Sequence, residues 1–225
     1  MLVVVGGHSR NIGKTSVMAG LIDALPEFHW TAVKITQYGS NVCSSEGEPC
    51  ECAGDDPNHP YALSEERDPA SGTDSSRYLA AGARRSYWLR TAVDHLGDAL
   101  PVLRCIIASS EHIIVESNSI LQFFRPDLYL VVADFSVGDF KASSLKHLDR
   151  ADALVVIERE LEQPQWSGVS RQLWESKKRF PVQPPQYVTE AMAAFVRGRL
   201  ISSTTPSGVA PGVGSPRSER TGTGR

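Results

Sequence analysis

The chain has 225 residues, of which 41% are hydrophobic and 22% are charged, a composition typical of a globular protein with a sizeable core. Its 23 Lys and Arg residues against 26 Asp and Glu residues give a formal net charge of −3, which argues against a nucleic acid as partner. The longest wholly apolar runs, such as Leu128 to Ala133, have six residues and fall far short of the roughly 20 needed to span a bilayer. We therefore expect a cytoplasmic protein without a membrane segment.

The N-terminal part of the chain predicts a strand, a glycine-containing loop, a helix and a second strand. Leu2 to Val5 is a short β-branched run, typical of a strand buried on both faces of a parallel sheet. Apolar residues recur at helical spacing from Lys14 to Leu25, and Pro26 ends that pattern. His29 to Thr36 alternates well enough to predict the second strand.

A long polar segment, residues 37–72, follows the second strand and is predicted to be an inserted loop. It contains three cysteines and a histidine, namely Cys43, Cys50, Cys52 and His59. Three thiolates and an imidazole can bind Zn²⁺ or an iron–sulfur centre, although the Cys-x-Cys spacing is tighter than that of a zinc ribbon. The alternative is a polar loop with incidental thiols, and the sequence leaves both interpretations open.

The rest of the chain alternates helical and strand patterns. Helices are predicted at 76–84, at 93–110 with a kink at Pro101, at 169–178 and at 189–200, and strands at 87–91, 113–116, 128–133 and 153–157. This alternation predicts an α/β fold in three layers, with a mostly parallel sheet and helices on both faces. Residues 202–225 contain 17 Ser, Thr, Gly or Pro and predict a disordered tail after a single domain over 1–201.

The turn between the first strand and the first helix has the features of a phosphate-binding loop. Glycines allow successive N–H groups to face inward, and the start of the helix adds the positive end of its dipole. The Lys14 ammonium would bind the β- and γ-phosphates, and the Thr15 hydroxyl would bind Mg²⁺. The predicted nucleotide-binding residues of this loop are Gly7, His8, Ser9, Asn11, Ile12, Gly13, Lys14, Thr15 and Ser16.

The spacing of this loop departs from the common form. Five residues, rather than the usual four, separate Gly7 from Gly13-Lys14-Thr15. This longer spacing resembles the loop of dethiobiotin synthetases and cobyrinic acid amide synthases. Lys34, within the second predicted strand, also resembles a lysine that faces the phosphates in related families, although an outward-facing edge lysine would show the same pattern.

Two more segments resemble the group formed by MobB (molybdopterin-guanine dinucleotide biosynthesis protein B) and dethiobiotin synthetase. The stretch Gly72 to Arg77, followed by Ala81-Gly82-Ala83, is similar to a Lys/Gly-Asp-Ser-x-Arg segment of MobB-like proteins. The resemblance implies that Asp74 and Arg77 bind the nucleotide or its metal; the alternative is that Asp74 or Ser75 merely caps a helix. Glu116, at the end of a strand, corresponds to the acid that holds Mg²⁺ in these families, although Ser-Asn follows it here in place of a glycine.

The resemblance implies a P-loop NTPase domain that binds and hydrolyses a nucleoside triphosphate with Mg²⁺ in cofactor biosynthesis, as a MobB-like, GTP-binding accessory protein. Two alternatives stay open, an ATP-dependent ligase or amidase of the dethiobiotin or cobyrinate kind, and a metal-binding scaffold that retains the loop. Lys14, Lys34 and Glu116 would be catalytic, and Thr15 and Glu116 would hold the Mg²⁺. The implied partners are ATP or GTP, a cofactor precursor or partner enzyme, and a second copy in a homodimer.

Overall fold

The computed structural model of the protein describes residues 1–38, 60–159, 161 and 163–204. Its strands are β1 (Leu2–Gly7), β2 (Thr31–Tyr38), β3 (Tyr61–Glu66), β4 (Arg85–Ala92), β5 (Ile113–Glu116), β6 (Leu128–Asp134), β7 (Ala153–Ile157) and β8 (Lys178–Val182). The helices are α1 (Lys14–Ala24), α2 (Asp74–Ala80), α3 (Leu100–Ala108), α4 (Ala142–Leu145) and α5 (Glu190–Thr204). The strands form one sheet in the order β3-β4-β2-β5-β1-β6-β7-β8.

The sheet is parallel except at one edge, where β3 runs antiparallel to β4. β1 lies between β5 and β6, and all six of its residues are buried. The chain leaves β1 toward α1 at the carboxyl edge of the sheet, where β5 ends at Glu116 and β6 ends at Asp134. In open α/β sheets this edge, next to a central strand, is where ligands bind.

Both faces of the sheet are covered, which confirms the α/β fold predicted from the sequence. Val3 and Val5 pack in a cluster with residues of α1, α2 and α5, whereas Leu2 and Val4 pack in a second cluster with α3 and short 3-10 turns. This alternation follows from the two-residue period of a strand. Each fully buried Val or Leu side chain stabilises the fold by about 1.5–3 kcal/mol. Because the two clusters hold β1 and α1 in the core, the loop that joins them has both of its ends fixed.

The region from 169 to 182 differs from the prediction. Residues 169–178 do not form the predicted helix; they contain a 3-10 turn at Arg171–Leu173 and lead into β8. β8 is an edge strand whose inward residues, Phe180 and Val182, are buried while Pro181 is exposed. A proline cannot donate to a strand ladder and is tolerated at an edge, which is why this short, charged segment gives so weak a strand pattern.

β3 lies inside the segment predicted to be an irregular loop. None of its six residues is fully buried, so the sequence contains no apolar run or clean alternation to reveal it. Residues 202–204, predicted to belong to the tail, are the last residues of α5, which ends at Thr204. Cys43, Cys50, Cys52 and His59, and residues 205–225, lie outside the described residues.

Two helices begin at other residues than predicted, because residues at their N-terminal ends determine where they start. Pro101 does not kink a helix but lies in the first turn of α3, after a 3-10 turn at Leu96–Ala99, where its missing N–H costs no hydrogen bond. α2 begins at Asp74 because the Thr73 hydroxyl accepts a hydrogen bond from the Ser76 N–H at 3.0 Å. In the described part of the chain, no helix has the length and apolar character needed to cross a membrane.

Candidate nucleotide-binding site

The turn between β1 and α1 forms a cradle in which the N–H groups of the first helical turn are open. Asn11 and Gly13 adopt left-handed backbone angles, with φ of 53° and 88°, which turn successive amides toward a common point. No side chain caps the start of α1, so the N–H groups of its first turn, Lys14 to Ser16, have no helical partner. Strand, turn and helix therefore make a concavity at the carboxyl edge of the sheet whose geometry is suited to an anion, as in a P-loop.

Lys14 folds back over this cradle. Its ammonium donates to the Ser9 carbonyl at 3.2 Å, and its stem lies so close to Gly7 that a Cβ there would be 2.7 Å from the lysine Cδ. Burial lowers the pKa of Lys14; the Glu116 carboxylate partly offsets this effect, whereas Lys34 lowers the pKa further. A polyphosphate would supply the negative charge that this desolvated ammonium lacks.

Thr15, Glu116 and Tyr78 form one hydrogen-bonded group beside Lys14. The Thr15 hydroxyl donates to Glu116 Oε2 at 2.8 Å, and the fully buried Tyr78 hydroxyl donates to the same oxygen. Burial and the adjacent Glu116 charge raise the pKa of Tyr78 well above its usual value, so this hydroxyl stays a donor. Among the described residues, both of these hydrogen bonds go to Oε2 and none goes to Glu116 Oε1.

The donors present fit Mg²⁺, which takes oxygen ligands and is commonly held by one or two protein groups together with phosphate oxygens and water. Thr15 and Glu116 supply a hydroxyl and a carboxylate at the mouth of the cradle. The described residues contain no group of three or more His, Cys, Asp or Glu side chains arranged to hold a metal on their own. The predicted cysteine and histidine ligands fall outside the described ranges, so the Zn²⁺ or iron–sulfur prediction stays untested.

The other predicted residues meet on the β2 side of the cradle. Lys34 forms an ion pair with Asp74, the first residue of α2. Arg77 lies 3.7 Å from the same carboxylate and donates to Ser16 Oγ at 2.9 Å, which joins the starts of α1 and α2. Thr73 rather than Asp74 or Ser75 caps α2, and the Asp74 carboxylate therefore balances two cations beside the phosphate loop.

His8 is buried and its polar atoms are engaged within the protein. Its backbone N–H donates to the Val132 carbonyl at 3.2 Å. The Asp134 N–H donates to Nε2 at 3.0 Å, so the ring proton resides on Nδ1, which lies 2.9 Å from the Asp139 carbonyl. Burial lowers the pKa of His8, consistent with a neutral ring. The geometry favours a structural role for this side chain in place of a phosphate contact.

The side chains of Ile12 and Asn11, neighbours in the predicted loop, differ in burial. The Ile12 side chain is buried in the core cluster of α1, so only its main chain can face a ligand, whereas Asn11 is exposed. Asn118, which the sequence analysis left without a role, clasps Gly7 by donating to its carbonyl at 2.9 Å and accepting from its N–H at 3.0 Å. A Cβ on Gly6 would lie 2.2 Å from Asn118 Oδ1, so this close approach needs a glycine at position 6.

Three further residues of the site were missed. Tyr78 contacts Glu116, and Tyr187 packs against the left-handed Gly13, where a Cβ would lie 2.7 Å from its ring. Lys141 follows β6, and the charge of Lys14 contributes to lowering its pKa. No short sequence motif marks these three positions. The one local indication is that Tyr78 follows Ser75 by three residues, so the two side chains lie on the same buried face of α2.

Solved structures that resemble this chain include LpxK and HypB. LpxK from Aquifex aeolicus in complex with ATP is 18% identical, with a TM-score of 0.44, and the match covers 80% of this chain and 53% of that one. HypB from Helicobacter pylori in complex with nickel is 13% identical, with a TM-score of 0.47 over 92% of this chain and 91% of that one. The chain therefore spans about half the length of the LpxK chain. No protein-family model and no curated protein sequence matches it.

Proposed function

We propose that this protein binds a nucleoside triphosphate together with Mg²⁺ and hydrolyses it. The observation that carries the proposal is the convergence of Lys14, Thr15 and Glu116 on one cradle of open amides at the carboxyl edge of the sheet. A structural strand-to-helix turn has no need for a desolvated ammonium, or for a buried carboxylate beside the first turn of the helix. Both are costly to bury without an ionic ligand.

The chain's own groups have distinct tasks in this proposal. The amides of the loop and the Lys14 ammonium stabilise negative charge that develops on the transferred phosphoryl group. Thr15 and Glu116 hold the Mg²⁺, which, when bound, neutralises phosphate charge and orients the phosphate chain. Tyr78 orients the Glu116 carboxylate by its hydrogen bond. Lys34 adds a second positive group, tempered by Asp74.

We further propose a MobB-like role in the assembly of a cofactor, in the cytoplasm and as a homodimer. This finer assignment is supported by the segment Gly72 to Arg77, which resembles that group in sequence and lies beside the cradle. Asp74 is more than a third exposed and Arg77 about half exposed, so both can contact a second ligand as well as each other. A guanidinium and a carboxylate next to the phosphate loop are suited to an anionic precursor.

The substitution Lys14→Ala tests the function. Removal of one charge-assisted contact of about 1.5–3 kcal/mol predicts an affinity loss of about 10- to 100-fold for ATP or GTP with Mg²⁺, measured by isothermal titration. Lys146→Ala, in which an exposed lysine is removed, serves as the control and should bind like the wild type. Wild-type affinity in Lys14→Ala, or a wild-type protein that binds neither nucleotide, would contradict the proposal.

A further inference from the structure

The segment that follows β6 is fastened directly to the phosphate loop. The Lys141 N–H donates to the His8 carbonyl at 2.8 Å, and the His8 ring hydrogen-bonds the Asp139 carbonyl at 2.9 Å. Ser9 Oγ donates to Asp139 Oδ2 at 2.7 Å. The His8 ring also packs against Phe140, with ring centroids 5.3 Å apart. Residues 139–141 therefore form a fixed wall of the cradle.

Lys141 carries an ammonium on this wall, two residues from the Asp139 carboxylate, which accepts the hydrogen bond from Ser9. Within the described residues it forms neither an ion pair nor a side-chain hydrogen bond, although it is half-buried. Burial, Lys14 and Arg10 lower the pKa of Lys141 to about 8, and Asp139 and Glu116 offset this in part. The Lys141 backbone is bonded to the phosphate loop, so its half-buried ammonium adds to the positive charge of Lys14 there, which is unfavourable unless an anion binds.

The charged neighbours of Lys141 indicate which part of a nucleotide its ammonium would contact. Its charged neighbours include Lys14, which reaches the outer phosphates in loops of this kind, and Glu116, which belongs to the Mg²⁺ group. The sheet order places β6 on one side of β1, and β5 followed by β2 on the other. Lys34 of β2 and Lys141 after β6 therefore flank Lys14 from opposite sides.

We propose that Lys141 is a specificity-determining residue whose ammonium binds the terminal phosphate of the nucleotide, so that the site prefers a triphosphate to a diphosphate. The inference rests on the proposed nucleotide function and adds the residue that recognises the last phosphate. The contact is available as soon as the ligand binds, because the backbone of Lys141 is already held by His8. A preorganised cation of this kind contributes to affinity without a cost of ordering the loop.

The substitution Lys141→Met tests this inference, since methionine keeps most of the stem and removes the charge. Isothermal titration with Mg²⁺ compares AMP-PNP with ADP and GMP-PNP with GDP. We expect the affinity for the triphosphate analogue to fall about 10-fold or more, and that for the diphosphate to change less than about threefold. Lys141→Arg should restore most of the preference, and Lys146→Met should change neither affinity.

Equal losses for the two ligands would overturn the inference, because they would show that Lys141 merely supports the loop. Unchanged affinities in Lys141→Met would also overturn it, and a thermal melt establishes that the variant is folded. Lys14→Ala separates this failure from failure of the nucleotide function. If Lys14→Ala loses the triphosphate and Lys141→Met does not, the function stands and the role of Lys141 is refuted; if the wild type binds no nucleotide, both are refuted.

Discussion

The two sides of the phosphate loop are built in different ways. On the side of β2, which we call the β2 flank, Lys34, Asp74 and Arg77 form a network of paired charges. On the side of β6, which we call the β6 flank, His8 holds the chain by backbone hydrogen bonds and aromatic packing, and Lys141 has no paired carboxylate among the described residues. The comparison indicates that paired charges set the electrostatics of the β2 flank, whereas the β6 flank supplies a rigid backbone and an ammonium that forms no ion pair among the described residues.

The largest effect is expected when the β6 flank loses its anchor. His8→Ala removes two ring hydrogen bonds and the packing against Phe140 and Trp166, whose ring centroids lie 5.3 and 5.1 Å away. We expect a loss of about 2–4 kcal/mol in the free energy of unfolding, measured by urea denaturation. The exposed His95 serves as the control, and His95→Ala should cost less than about 1 kcal/mol. Equal losses in both variants would show that His8 anchors nothing.

Tyr78→Phe is expected to have the next largest effect, on the Mg²⁺ requirement, because Tyr78 contacts Glu116. It removes the hydrogen bond to Glu116 and keeps the buried ring. Because the carboxylate is then less firmly oriented, we expect hydrolysis to need about 10-fold more Mg²⁺, while nucleotide binding in EDTA stays unchanged. Tyr87→Phe, in the core of the opposite face, is the matched control. An unchanged Mg²⁺ requirement would refute the positioning role.

On the β2 flank, Asp74→Asn should have a smaller effect, and it should strengthen nucleotide binding instead of weakening it. The substitution keeps the size of the side chain but removes the negative charge that balances Lys34 and Arg77. We expect the affinity for ATP or GTP without Mg²⁺ to rise a few-fold, because the two cations then act on the phosphates without an internal competitor. Glu65→Asn, which removes a carboxylate paired with the more distant Arg85, should leave the affinity unchanged. A fall in Mg²⁺-free affinity would mean that Asp74 positions the cations.

The part of the site within one local pattern could be predicted from the sequence, and the part made by distant residues could not. The strand, loop and helix around Lys14 show their own hydrophobic patterns, and Glu116 ends β5 as the apolar run before it predicts. Asn118 meets Gly7 across 111 residues and Ser9 meets Asp139 across 130, and no spacing in the sequence encodes either contact. β8 was missed because Lys178, Arg179 and Pro181 leave it with no apolar run, unlike the equally short β7.

A final effect, similar in size to that of Asp74→Asn, is a pH dependence that the β6 flank should impose on binding. With a pKa of about 8 in the free protein, set mainly by burial and by Lys14 and Arg10 against Asp139 and Glu116, Lys141 is mostly charged at pH 7 and mostly neutral at pH 9. A triphosphate binds the charged form, so a proton must be taken up at higher pH and the affinity should fall about 3- to 10-fold across this interval. Titrations of the wild type and Lys141→Met at each pH measure the effect.

Lys14 also has a lowered pKa, and its deprotonation would weaken binding in the same direction. The variant separates the two lysines, because Lys141→Met abolishes the contribution of Lys141 and removes one of the charges near Lys14. A variant that keeps the full wild-type slope between pH 7 and 9 would assign the pH dependence to Lys14 instead. A slope that flattens in Lys141→Met but persists in Asp74→Asn would place the titrating group on the β6 flank, where the unpaired ammonium lies.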